Sequence, residues 1–200
     1  MKPIHEEYFF LWDDGETPSL TVEDKELAIL LMWHEHRQLP DKPYDLYIRD
    51  TIPRNFTLGD FYFLSGKRQV VSKRIKTAIE SLHPTNIDFL PADIHFHNDF
   101  EEEYFIINSY NRISCMDLDK SEWRKSHHPD GGVLSIDKLV LDTVKLGKIP
   151  IEQRLVFILD ECETFTLYHE SIVDKIEKLN PSGMHAISVD AWDSDIGFML

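Results

Sequence analysis

Between Gln69 and Ile94 the apolar positions pass through three spacings. Val70 and Val71 end a short apolar run. Ile75, Ala78, Ile79 and Leu82 then recur three and four apart, which marks one face of a helix. Ser72 stands at the N-cap position, Pro84 stops the helix, and Thr85-Asn86 turns the chain. Ile87, Phe89, Ala92 and Ile94 predict the strand that follows. The succession returns between Thr166 and Ala191. At an offset of 97 positions Ile75 falls on Ile172, Ile79 on Ile176, Leu82 on Leu179, Pro84 on Pro181 and Ile87 on Met184. Each copy follows a strand-like apolar run, Phe61 to Leu64 and Val156 to Leu159. The expectation is an α+β fold of mixed or antiparallel sheets carrying a pseudo-repeated strand–helix–turn–strand unit at 70–94 and 167–191. The competing explanation is a common unit met twice. Two copies fall short of the roughly three a solenoid needs.

The remaining pattern fills in around these units. Tyr8 to Trp12 predicts a first strand, turned by Asp13-Asp14-Gly15. Thr21 to Asp24 has the acids and capping threonine of a helix start. Leu27 to Trp33 is apolar all round, so periodicity does not separate helix from strand. We read a helix ending by Gln38, before Pro40. Leu46-Tyr47-Ile48 reads as an edge strand among prolines. Tyr104 to Asn108 and Ile113 to Met116, with Asn111 between, read as a hairpin. Val133 to Leu146 predicts two short strands, the clearer at Leu139-Val140-Leu141. No low-complexity linker divides the chain. Residues 1–200 are therefore expected to form one α+β domain, with two pseudo-symmetric lobes of about 1–100 and 101–200 at most.

Charge changes the picture most. Thirty-six acids against 21 bases leave a formal net charge of −15. That disfavours nucleic-acid backbones and anionic membranes, and favours a basic protein partner. Many acidic proteins carry such charge for solubility alone. The first ten residues place acids where an export signal needs bases, and no apolar run approaches the ~20 residues of a membrane span. A cytoplasmic protein is expected. Cys115 and Cys162, far apart and beside apolar runs, read as small buried residues.

Catalytic patterns are thin. His95-x-His97-x-Asp99 could bring two imidazoles and a carboxylate to one strand face, as a metal-dependent hydrolase requires. The plainer reading is a solvated strand exit. Asp117-Leu118-Asp119 after an apolar strand resembles the first motif of haloacid-dehalogenase phosphatases, with Asp160-Glu161 as the only later acidic pair. It fails as an EF-hand loop, because Glu122 and His128 occupy the glycine and glutamate positions. Walker, GxGxxG and GxSxG signatures are missing. No cofactor or metal is expected.

Several stretches together resemble one family, the immunity proteins encoded beside bacterial polymorphic toxins, and in particular immunity family eleven, formerly a domain of unknown function. They are Val70-Val71-Ser72, Leu82 to Pro84, Phe89-Leu90-Pro91, Tyr104 to Asn108, Asp117 to Ser121, Val156 to Leu159, and Ile172 to Gly183. The resemblance spans roughly residues 56–190 and leaves His34 to His36 and His95 to His97 unmatched. It implies no catalytic residues. It implies a protein that binds a cognate toxin and neutralises it without catalysis. Composition adds that the toxin surface is basic, met by acid-rich exits. These are Asp99, Glu101, Glu102 and Glu103; Asp117, Asp119 and Glu122; and Asp190, Asp193 and Asp195 around Trp192, an aromatic anchor among acids. An acidic adaptor or nucleic-acid mimic is the remaining alternative.

Overall fold

The structure is a computed structural model that describes residues 3–23, 41–48, 52–53, 55–64, 68–97, 99–127 and 131–193, without the side chains of 99–102. The helix expected at 27–38 lies outside the described residues. The molecule is mostly β, with mixed sheets and three short α-helices among the described residues. A five-stranded sheet has the order β13-β1-β12-β11-β8, from Met184–Ser188, Tyr8–Asp13, Thr166–His169, Val156–Leu159 and Arg112–Ile113. A six-stranded barrel has the order β2-β3-β6-β7-β5-β4, from Leu20–Thr21, Tyr44–Ile48, Ile87–Phe96, Asp99–Ser109, Arg68–Ser72 and Phe61–Leu64. β9 (Glu122–Lys125) and β10 (Val133–Lys138) form a separate two-stranded sheet. The helices are α1 (Lys73–Glu80), α2 (Thr143–Leu146) and α3 (Glu170–Glu177). Among the described residues no helix is long and apolar enough to cross a membrane.

Continuous apolar runs form because several strands are buried on both faces. In β4, Phe61 packs into a central cluster while Tyr62 and Leu64 fill the barrel. In β5, Val71 faces the central cluster and Val70 the barrel. In β11 and β12, Val156 and Tyr168 face the central cluster, and Phe157 and Leu167 face a third cluster beyond the sheet. The central cluster draws Phe61, Val71, Ile75 and Ile79 from the barrel side, and Leu11, Tyr168, Ile172 and Ile176 from the sheet side. Gln69 of β5 links the two sheets directly, since Nε2 donates to the Leu11 carbonyl (3.2 Å) and Oε1 accepts from the Tyr168 hydroxyl.

The two strand–helix–strand stretches end their helices in the same way. Leu82, His83 and the matching Leu179 and Asn180 donate backbone bonds to the carbonyls three residues back. His83 and Asn180 then adopt φ of 53° and 49°, and Asn86 and Gly183 adopt 59° and 91°. In each sheet one antiparallel strand lies between the two strands that flank a helix, β7 between β5 and β6, and β1 between β12 and β13. The turns dock reciprocally. Ser182 contacts Asp60 just before β4, and Thr85 donates to the Glu152 carbonyl ahead of β11 (3.1 Å).

Five local expectations are corrected. Tyr104 to Asn108 and Ile113 do not form a hairpin. β7 pairs with β5 and β6, while β8 crosses to the other sheet and runs parallel to β11. Residues 44–48 are not an edge strand, because β3 lies between β2 and β6. Leu139 to Leu141 contributes one bridge, Met116 to Leu141, and the following residues form α2, capped by Asp142 on the Val144 and Lys145 N–H groups. Ser72 precedes α1 but makes no capping bond, since its hydroxyl donates to Asp60 (2.8 Å). Thr21, read as a helix cap, pairs with Tyr47 in β2. Pro91 is tolerated inside β6 because the β3 ladder begins only at Ala92.

Candidate partner-binding surface

The first acid-rich stretch lies in β7. Its ladder with β6 shifts between Ala92↔Tyr104 and Ile94↔Glu101, so the strand bulges where the acids sit. Glu103 takes φ 68°, is exposed, and pairs with Lys73 at the start of α1. Asp99 and Glu101 are in the same ladder through their backbones.

The second stretch is a turn after β8. The Asp117 carboxylate accepts from the Asp119 and Lys120 N–H groups (3.2 Å each) and from Lys120 Nζ (2.7 Å). The Lys120 bond holds this carboxyl below the usual carboxylate range. Asp117 therefore shapes the turn, whereas Asp119 and Glu122 project into solvent. The third stretch follows β13. Asp190 and Asp193 are exposed, with Asp190 Oδ1 3.8 Å from His5 Nε2. Trp192 is only 5% exposed, and its ring packs against Phe10 and Phe165 at 5.3 and 5.0 Å between centroids. Asp195 lies outside the described residues.

The two histidines of the His95-x-His97-x-Asp99 string have different partners. His95 Nε2 lies 2.6 Å from Asp45 Oδ1 and its ring stacks on Tyr47. His97, at φ 54°, places Nε2 3.0 Å from the Pro53 carbonyl. The parallel pairing of β8 and β11 points both strand ends the same way, towards Asp117 and Asp160-Glu161. Glu161 Oε1 accepts from the Ser114 hydroxyl (2.7 Å) and the Met116 N–H (3.3 Å), and Asp117 is engaged in its own turn. Among the described residues no three His, Cys, Asp or Glu side chains gather as metal ligands would. Cys115 is buried and Cys162 partly so, both as free thiols, and burial pushes the Cys115 thiol far up.

With that geometry in hand, comparison with known proteins decides the family. The Imm11 immunity protein family model matches residues 12–190. This chain belongs to the Imm11 immunity protein family. No curated protein matches it.

Two features of this Imm11 protein were not legible as motifs. Asp60 accepts from Ser72, from Arg74 through Nε (2.5 Å) and Nη2, and from the Ser182 N–H (3.2 Å). These residues are distant in sequence, and only the docking of the 182 turn assembles them. Between α1 and α3 runs an open groove of about 700 Å³ bordered by Lys73, Arg74, Lys175 and Lys178, a basic strip on an acidic molecule. Each half of the strip is an ordinary solvated helix face in sequence.

Proposed function

We propose that this protein binds a cognate toxin of a bacterial polymorphic toxin system and neutralises it by stoichiometric, non-catalytic contact in the cytoplasm. Membership of the Imm11 immunity protein family across residues 12–190 carries this reading. The charge of −15 supports a basic toxin surface, reached by electrostatic steering, with neither nucleic acid nor membrane as the target. The contact patches are the β7 bulge (Asp99, Glu101, Glu102, Glu103), the turn after β8 (Asp119, Glu122, with Asp117 as its scaffold), and the exit of β13 (Asp190, Asp193, Asp195). Trp192 stiffens the last patch from beneath. We further propose that the two strand–helix–strand units are a duplicated pair within one domain of two lobes.

The test expresses the product of the adjacent gene alone and together with this chain. Killing by the neighbour alone, survival on co-expression and co-purification at a fixed ratio are expected. A harmless neighbour that does not co-purify would sink the proposal. Reversing the charges of one patch at a time then locates the contact. The decisive patch slows association and reduces its salt dependence, while the others leave both unchanged. Equal binding to many unrelated basic proteins would instead point to an acidic adaptor.

A further inference from the structure

The seam between the two sheets holds a cleft that no acid-rich stretch predicts. β1 pairs with β12 only at Tyr8↔His169 and Phe9↔Tyr168, then continues to Asp13 against β13 alone. Beyond Phe9 the two strands splay, and the gap opens as a cleft of about 210 Å³. Its lining includes Phe10, Trp12, Asp13, Phe63, Gln69 and Phe165. Gln69 is buried, and its amide is already engaged by Leu11 and Tyr168, so it closes the inner end. Trp12 and Phe63 are half-buried at the outer part.

Among the described residues of this lining Asp13 is the single charged group. Its carboxylate accepts from the Gly15 N–H (2.6 Å), His185 of the adjacent β13 strand also favours its charged form, and among the described residues the lysine and arginine ion pairs are all with other acids. Burial, reinforced by the neighbouring Asp14 charge, pushes this carboxyl above its ordinary range. Burial outweighs the Gly15 bond and the His185 attraction, so the carboxylate is left under-compensated, and an apolar guest would desolvate it further. A cationic guest reverses both effects. It supplies the missing charge, and its aliphatic stem and cationic head suit an aromatic-lined cleft.

We propose that this cleft receives a lysine or arginine side chain of the partner protein, paired with Asp13 and enclosed by the aromatic residues. The identity of the partner rests on the toxin-binding reading, whereas the cation site does not. It gives a broad electrostatic attraction one buried anchor, the arrangement in which a few residues dominate binding.

The site is tested first on the intact chain with L-argininamide and L-lysinamide as probes, and with uncharged L-citrullinamide as control. Amide and indole resonances of Trp12 and the side-chain amide of Gln69 are followed by NMR. Saturable shifts with the cationic amides, absent with citrullinamide and lost in Asp13→Asn, are expected. No saturable shift, or equal shifts in Asp13→Asn, overturns the site. Asparagine keeps an acceptor for Gly15, and an unchanged unfolding midpoint verifies the fold. The second arm measures the co-purified neighbour, for which Asp13→Asn is expected to weaken affinity about tenfold or more. Unchanged affinity overturns the anchor role. A neighbour that fails to bind the unaltered chain counts against the immunity reading instead, and the argininamide titration still decides the cleft.

Discussion

At the scale of single residues, backbone conformation and buried charge set the sharpest constraints. Gly183 sits at φ +91°, and a Cβ there would stand 2.2 Å from the Phe61 carbonyl oxygen. Gly132 has φ +97° with nothing within 4 Å of such a Cβ. Gly183→Ala is therefore expected to lose more stability in urea than Gly132→Ala. The latter carries only the conformational strain of ~1–3 kcal/mol, and the excess reports the collision. His169 offers a second residue-level test. Its Nδ1 accepts from the Ser171 N–H as the cap of α3, and its Nε2 lies 3.3 Å from Glu7. Burial holds the imidazole below its ordinary range and outweighs the Glu7 contact, which favours the charged form. The folded pKa is depressed, so the unfolded chain takes the proton first. Stability is expected to fall as pH drops from about 6.5 through the folded pKa. His169→Asn keeps a cap and removes the titration, so its unfolding free energy should lack that decline. Equal pH slopes for both proteins would show that other groups cause it.

At the scale of elements, the helices are short and owe their stability to the face they bury. Ile79 and Ile176 occupy matching positions on α1 and α3 and are fully buried in the same cluster. Alanine at either is expected to cost about 2–5 kcal/mol in chemical denaturation. These faces were legible in the sequence, because a 3.6-residue period with a proline stop is a local signal. The junction between turn and strand was not. Asp60 gathers Ser72, Arg74 and Ser182, and no local pattern announces that group. Burial acts to raise the Asp60 pKa, but the hydrogen bonds from Arg74, Ser72 and Ser182 more than offset it, and the net shift is downward. A depressed carboxyl contributes stability that is present above its unfolded value and lost as pH falls through the folded one. Asp60→Asn is thus expected to lose about 2 kcal/mol or more at neutral pH, and to show a shallower loss than the parent below about pH 4. Unfolding curves at pH 7 and pH 3 check both parts.

At the scale of the whole molecule, the central cluster draws on the barrel and the sheet together, and Gln69 ties their strands across it. Neither side can expose its share of that core cheaply. One cooperative unfolding transition is expected, with tryptophan fluorescence and far-UV circular dichroism coincident. Two separated transitions would show lobes that fold independently. The acids are a property of the same scale. Asp119, Glu122 and Asp190 are solvated, while Asp117 is tied into its turn, so equal formal charges differ in what they offer a partner.

The sequence by itself determined the period and stop of two helices, the apolar strand runs that precede them, the acidic balance and the resemblance to an immunity family. Each is written in residue type and short-range spacing. The tertiary structure decided which strands pair, so that β8 leaves its expected hairpin for a parallel place beside β11, and β3 becomes interior to a barrel. It decided that Trp192 belongs to the core, and that splayed strands leave a cleft beside Asp13. Alternation tells a strand which faces are apolar, but not which neighbour completes its ladder. That choice is settled by burial across the whole chain, and the cleft is its consequence.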